Sequence, residues 1–333
     1  MKDFRANGYV LLASPGMEAM ASNILYLINK QARKDDVPAF EPAKMSVKGF
    51  ANGECEPELL ETVRGAHVYL LHPMQLPDPN TALVNLHIIK DALMRAAVGK
   101  VTLVLPYLSF MRQDRRKDGA RVPISAKAIA NLIQPGVQQL ITMDLHADQE
   151  VGFFEIPVDN IPGSTVLIDD LKHRLGGDLK TVTVVAPDVG SAARVRRIAR
   201  KLGVPMAIID KDRRAPGEAE VLGLYGRVDY RRVVLFDDMI DSGGTIISAA
   251  KAMLEHRAHS VEIYATHGLL TGEATKKFAQ AGIPVRITNS IPRSEEYRTA
   301  HADWLTYVSI DQLLAEAIYQ TTRIRGSVSK LSV

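Results

Sequence analysis

The sequence predicts an α/β protein of two domains, each a mainly parallel sheet flanked by helices. Three observations lead there. Short apolar runs alternate with longer stretches of helical period. That rhythm occurs twice, on either side of a cluster formed by Pro157, Pro162 and Gly163. The 333 residues are enough for two cores of ordinary size.

The elements follow in order. In the first half, 9–13, 67–72, 100–106 and 139–144 are short apolar runs and read as buried strands. Helical patterns fill the gaps at 17–30, 82–98 and 123–133. In the second half, 181–186, 205–210, 231–236 and 260–266 read as strands, with helices over 189–202 and 245–256. The junction falls near 158–164, so the expected domains are 1–162 and 163–333.

Bulk composition narrows the function class. The chain is 46% hydrophobic and 24% charged, with a formal net charge of +3. Such a balance points to no nucleic-acid partner and no membrane surface. Cys55 is the only cysteine, which rules out an intrachain disulfide and suits a reducing compartment. No run approaches the ~20 apolar residues that span a bilayer. The start, MKDFRANGYVLLASPG, reads as a strand entry rather than a signal peptide. The expected location is cytoplasmic.

In open parallel sheets, ligands bind beyond the carboxyl ends of the strands. The residues there are unusual. After 231–236 come Asp237 and Asp238, then Asp241, Ser242, Gly243, Gly244 and Thr245, then a helix. Gly243 and Gly244 let backbone N–H groups turn toward an anion at the helix N-terminus. Carboxylates cannot hold a phosphate but can accept from sugar hydroxyls. The loop therefore describes a pocket for a phosphorylated sugar. A plain helix cap would need one such residue, not three acids and two glycines.

The other strand ends are weaker alone. Asp188, beside Gly190, is either a Mg²⁺ ligand or a helix N-cap. Asp144 and His146 would share one face if the strand continued through them, with the histidine a secondary metal contact or a structural residue. Arg112 and Gln113 open a cationic loop suited to phosphate or base, or simply solvated. Lys211 and Arg213 follow another strand, on a loop able to close over a polyphosphate or on an exposed connection. Asn52, Gly53 and Glu54 form a turn, or a contact for a nucleobase edge.

Lined up, these segments resemble the ribose-phosphate pyrophosphokinase (phosphoribosyl pyrophosphate, PRPP, synthetase) family. The matching stretches run in order through nearly the whole chain: FANGE, RAAVGKVTLVLPY, RQDRRKDGARVPISAK, TMDLHADQ, GFFEIPVDN, APDVG, AIIDK and LFDDMIDSGGT. Each is moderately specific, and the ordered set is highly specific. The resemblance implies two tandem phosphoribosyltransferase-type domains, the first bearing ATP-side loops and the second the ribose 5-phosphate loop. It implies transfer of the β,γ-diphosphoryl group of Mg-ATP to the anomeric hydroxyl of ribose 5-phosphate, giving PRPP and AMP.

By the same resemblance, Asn52, Gly53, Glu54, Arg112 and Gln113 would contact ATP, and His146 and Asp188 would sit at the Mg²⁺ site. Lys211 and Arg213 would be the catalytic cations. Asp237, Asp238, Asp241, Ser242, Gly243, Gly244 and Thr245 would bind ribose 5-phosphate. The family assembles as dimers and often hexamers, so a homo-oligomer is implied. Departures exist. Asp212 stands between the two catalytic cations, Ser191 replaces a common glycine, and Ser242 a common threonine. Pro77, Asp78, Pro79, Asn80 and Thr81 differ from the family's usual stretch, which leaves phosphate activation and ADP inhibition open. Two rival readings are a phosphoribosyltransferase consuming PRPP and a non-catalytic regulatory paralogue.

Overall fold

The computed structural model describes residues 8–116, 119–215, 218–323 and 325–332, with side chains described outside 211–222 and 332. The chain divides into two compact units, Met1–Pro162 with Asp311–Val333, and Gly163–Ile310.

The first unit contains β1 (Tyr9–Ala13), α1 (Glu18–Lys34), β2 (Phe40–Ala43), β3 (Met45–Gly49), β4 (Cys55–Leu59) and β5 (His67–Leu71). It continues with α2 (Pro79–Arg95), β6 (Lys100–Leu105), α3 (Ser125–Ile133), β7 (Gln139–Met143), a 3-10 segment at Asp148–Phe153, and β8 (Val158–Ile161). Six parallel strands lie in the order β2-β1-β5-β6-β7-β8. The order reverses between β1 and β5, which is the switch point of a doubly wound sheet. Continuous apolar runs make β1, β5, β6 and β7, the inner strands, because both faces are covered. Leu86, Ile89 and Leu93 of α2 and Ala126, Ala130 and Ile133 of α3 pack into one core with them. Strands β3 and β4 form a separate antiparallel hairpin.

Helix α2 begins at Pro79 rather than at 82, because Asp78 caps it. Its carboxylate accepts from the N–H groups of Asn80 and Thr81 at 2.9 and 3.1 Å, with Pro79 in the first turn.

The second unit contains α4 (Ser164–Arg174), β9 (Val182–Ala186), α5 (Ala192–Leu202), β10 (Met206–Ala215), β11 (Glu218–Tyr225), β12 (Arg232–Ile240) and α6 (Gly244–Glu255). After these come β13 (Ser260–Gly268), α7 (Ala274–Ala281), β14 (Val285–Thr288), α8 (Glu295–Ala300) and β15 (Leu305–Val308). The sheet order is β11-β10-β9-β12-β13-β14-β15, parallel except for the β10–β11 hairpin. Its switch point lies between β9 and β12. One face is covered by α4 and α5 through Leu167, Leu171, Val195 and Ile198, the other by α6 and α7 through Ile246, Met253 and Phe278.

Three expectations need correction. Strand β12 does not stop at 236 but carries Asp237 and Asp238 within it, because pairing with β13 continues through Met239–His267 and Ile240–Gly268. Lys211 and Arg213 lie on β10, not on a loop, with Lys211 opposite Val221 on the antiparallel partner. The segment from 311 onward, expected in the second domain, belongs to the first unit. There α9 (Asp311–Thr322) is held by polar contacts far apart in sequence. Tyr319 donates to Asp35 at 2.6 Å, Asn23 to Asp311 at 2.8 Å, and Tyr69 and Thr321 share a hydrogen bond of 2.9 Å.

Candidate functional site

In the second unit, the switch point brings three of the expected acids to one place. Asp188 follows β9 and is half-buried, while within β12 Asp238 is buried and Asp237 half-buried. Successive strand residues face opposite sides, so Asp237 and Asp238 diverge. The Asp238 N–H still donates to Asp237 Oδ1 at 2.9 Å. Burial pushes the Asp237 carboxyl well above the usual carboxylate range. The nearby charges of Asp238 and Asp188 add to that, and Arg194 opposes it.

Arg194, in the first turn of α5, was not among the residues picked out in the sequence. Its Nη1 lies 3.4 Å from Asp238 Oδ1, and the side chain is 15% exposed. It sits in AARVRRIARK, where four arginines read as a solvated helix face. Only the packing of α5 beside β9 distinguishes it.

Asp188 is not the N-cap of α5; that position is Ser191, and Asp188 lies three residues before it. Its Oδ1 accepts from the Ser191 N–H at 2.9 Å, and Ser191 Oγ donates back to the Asp188 carbonyl at 2.9 Å. These bonds form a turn ahead of α5, and the Asp188 carboxylate remains close enough to Asp237 to act on its charge.

Beyond β12, the chain turns through Asp241 and Ser242 into α6. Gly243 has φ 76°, a left-handed conformation that favours glycine. A Cβ there would also lie 2.7 Å from the Phe278 ring, which is fully buried and stacks on Trp304 at 5.2 Å between centroids. A Cβ on Gly244 would meet nothing within 4 Å, so the approach to the α6 N-terminus is open there. The N-cap residue of α6 is Gly243, which has no side chain to offer as a cap. The first N–H groups of the helix suit an anion. Asp241, Ser242 and Thr245 line the same turn, with Ser242 exposed.

In the first unit, Asn52, Gly53 and Glu54 form the exposed tip of the β3–β4 hairpin. The turn is real: Gly53 has φ 90°, and the Glu54 N–H donates to Asn52 Oδ1 at 3.2 Å. Arg112 and Gln113 are exposed after β6. Gln113 accepts from Ser125 Oγ and, through its carbonyl, from the Ala126 N–H, which ties this loop to the start of α3. His146 is exposed after β7. It does not share a strand face with Asp144, as expected from sequence. Strand β7 ends at Met143, and Asp144 turns the chain with φ 36°. Gln149 donates to Asp114 at 3.3 Å, linking the loops that follow β7 and β6. The side chains of Lys211 and Arg213 lie outside the described residues; their backbones run along β10.

The sequence matches the N-terminal domain of ribose phosphate pyrophosphokinase over residues 15–135 and the phosphoribosyl transferase domain over residues 158–289. A ribose-phosphate pyrophosphokinase of Ralstonia nicotianae is 42% identical over 282 residues, covering 84% of this chain and 87% of the relative. The chain belongs to the ribose-phosphate pyrophosphokinase family. Another family member, from Haemophilus influenzae, is 43% identical over 82% of this chain and 86% of its own. The crystal structure of phosphoribosylpyrophosphate synthetase from Mycobacterium smegmatis superposes with a TM-score of 0.80 at 33% identity, covering 94% of this chain and 98% of that one.

Family membership makes a divalent cation relevant. Among the described residues, no group of three or more His, Cys, Asp or Glu side chains is arranged to hold a metal ion alone. Mg²⁺ typically keeps most of its waters and takes one or two carboxylates plus substrate phosphates. The half-buried oxygen donor Asp188 would fit that mode. His146 fits only as an outer or water-bridged contact. No helix among the described residues is long and apolar enough to cross a membrane.

Proposed function

We propose that this chain, an enzyme of the ribose-phosphate pyrophosphokinase family, makes PRPP and AMP from ribose 5-phosphate and Mg-ATP with its residues in the following roles. Gly243, Gly244 and Thr245 take the 5-phosphate at the α6 N-terminus, with Ser242 beside them. Asp237, Asp238 and Asp241 accept from the ribose hydroxyls. Asn52, Gly53, Glu54, Arg112 and Gln113 contact ATP. His146 and Asp188 stand at the Mg²⁺–ATP group, and Lys211 and Arg213 act on the transferring phosphoryl groups.

The observation that carries the reading is the second unit's switch point, where acids for a sugar adjoin a glycine-entered helix N-terminus open at Gly244 for its phosphate. The anomeric oxygen forms a bond to the β-phosphorus of ATP as the bond from that phosphorus to the AMP oxygen breaks. The hydroxyl proton leaves to solvent or a phosphate oxygen; no side chain is assigned as general base. Little covalent work falls to the protein, so its residues position the reactants and stabilise charge. Bound Mg²⁺ would supply charge neutralisation on the polyphosphate. Arg194 restrains the acid pair so that sugar contacts are made in a fixed geometry.

A dimer-based homo-oligomer belongs to the same proposal. It is supported by Phe50 and Leu60, each 53% exposed beside the hairpin that carries Asn52 and Glu54. Sedimentation velocity measures the assembly directly. Mixing the protein with ribose 5-phosphate and Mg-ATP and following AMP tests the activity. AMP formation that requires ribose 5-phosphate is expected. Pyrophosphate release from PRPP and a base, with no AMP formed from ATP, would instead identify a PRPP-consuming transferase.

A further inference from the structure

We infer that Thr271 is a positioning residue for ribose 5-phosphate, acting through the carboxylate of Asp241. The inference rests on the proposal that Asp241 contacts the sugar phosphate.

Asp241 is the first residue past β12, where sheet pairing would ordinarily end and a side chain would be free to rotate. Here the pairing continues. After β13 the loop Leu269, Leu270, Thr271 and Gly272 runs alongside, and the Leu270 N–H donates to the Ile240 carbonyl at 3.1 Å. The Thr271 N–H then donates to the Asp241 carbonyl, also at 3.1 Å. Thr271 Oγ1 completes the grip by donating to Asp241 Oδ1 at 2.6 Å. One threonine thus fixes both the main chain and the carboxylate of the same aspartate.

That grip works only if Thr271 is itself held, and it is. The Ala274 N–H donates to the Thr271 carbonyl at 3.1 Å, anchoring the loop to the start of α7. Arg293 Nη2 donates to the Leu269 carbonyl from the other side. The Arg293 guanidinium lies 5.0 Å from the centre of the Tyr297 ring, so it too is seated. A charge-assisted hydrogen bond from a fixed donor presets the carboxylate rotamer. Substrate binding then avoids the entropy of ordering Asp241.

The roles separate by kinetics. The hydrogen bonds described for Thr271 run to Asp241 and Ala274, neither of which is placed on ATP. Loss of Thr271 weakens ribose 5-phosphate in the ground state and transition state alike, which raises KM without lowering kcat.

The test uses Thr271→Val, which keeps the shape and removes the donor, and Thr271→Ser, which keeps the donor. Steady-state kinetics in each substrate are read beside direct calorimetric binding of ribose 5-phosphate. Thr271→Val is expected to raise KM and Kd for ribose 5-phosphate by about five- to twentyfold, near or below the low end of the worth of one hydrogen bond to a charged group, because the Asp241 carboxylate itself is retained. The kcat and the KM for ATP should stay within about twofold. Thr271→Ser should restore binding. Equal losses in Val and Ser variants, an equal rise in the KM for ATP, or a fall in kcat at unchanged Kd would each overturn the inference. Asp241→Ala is the control for the underlying proposal. If it leaves ribose 5-phosphate binding unchanged, the assignment of Asp241 has failed. If it weakens binding and Thr271→Val does not, only the role of Thr271 has failed.

Discussion

The two units are built on sheets with the same kind of switch point, and they use it in opposite ways. In the first unit, Ser14 and His72 follow β1 and β5. Both are buried, and Ser14 Oγ bonds His72 Nδ1 at 2.8 Å while His72 Nε2 bonds the Ala82 carbonyl at 2.9 Å. At the entry to α1, the Gly16 N–H donates to Glu18 Oε2 at 2.8 Å, so the chain's own carboxylate occupies an anion's place. In the second unit the corresponding crevice holds Asp188, Asp237 and Asp238 with Arg194, and α6 is entered through the left-handed Gly243. The first crevice satisfies its polar groups internally. The second gathers carboxylates beside a glycine turn at a helix N-terminus. Topology sets where a site can be, and side chains decide whether it exists.

The largest test of this contrast is on the open side. Lys211→Ala is expected to lower kcat by about 10²–10³, as removal of a transition-state contact does. An unchanged kcat with only KM raised would put Lys211 in ground-state binding instead. Next comes Gly243→Ala. It strains a left-handed residue and meets the Phe278 ring at 2.7 Å, so the phosphate-binding turn must shift. A displacement of that kind costs about 10² in kcat/KM for ribose 5-phosphate. Wild-type kinetics in this variant would show that the turn does not hold the phosphate.

The sealed side should answer in stability and not in turnover. Ser14→Ala leaves a buried His72 nitrogen without its partner, at a cost of about 1–3 kcal/mol. Urea unfolding should register that loss, with kcat of the folded enzyme unchanged. A drop in kcat would mean the first crevice also takes part in chemistry. The smallest effect is on pH. Burial holds the His72 pKa down to about 4. The unfolded chain therefore binds this proton near pH 6.5 and the folded one only near 4, so stability is full above about 6.5 and falls as pH drops toward 4. Between pH 7.5 and 6 the loss is below about 1 kcal/mol. In Ser14→Ala/His72→Leu that slope should shrink.

What could be read from sequence follows the same division. Strands β1, β5, β6, β7, β9 and β13 were legible because burial on both faces writes a continuous apolar run. Strand β2, with Glu41 and Pro42, sits at an edge and carries no such signal. The far half of β10 and the start of β11 are rich in charge and read as a connection. Asp237 and Asp238 looked like loop residues because acids are poor strand formers, yet pairing with β13 overrides that preference. The sugar-phosphate loop was legible because its acids and glycines are contiguous. Arg194 and Thr271 were not, since each acts on a residue some thirty or more positions away and neither interrupts its local pattern.

The return of α9 to the first unit gives the chain an order of completion. Residues 163–310 are an insertion within the first unit, whose N-terminal part is made before them and whose closing helix is made after them. On the ribosome, the first unit to emerge is the last to be finished. Until residues 311–322 appear, Tyr69, Asp35 and Asn23 lack their partners on that helix. The second unit draws all its strands from one continuous stretch and needs no such wait.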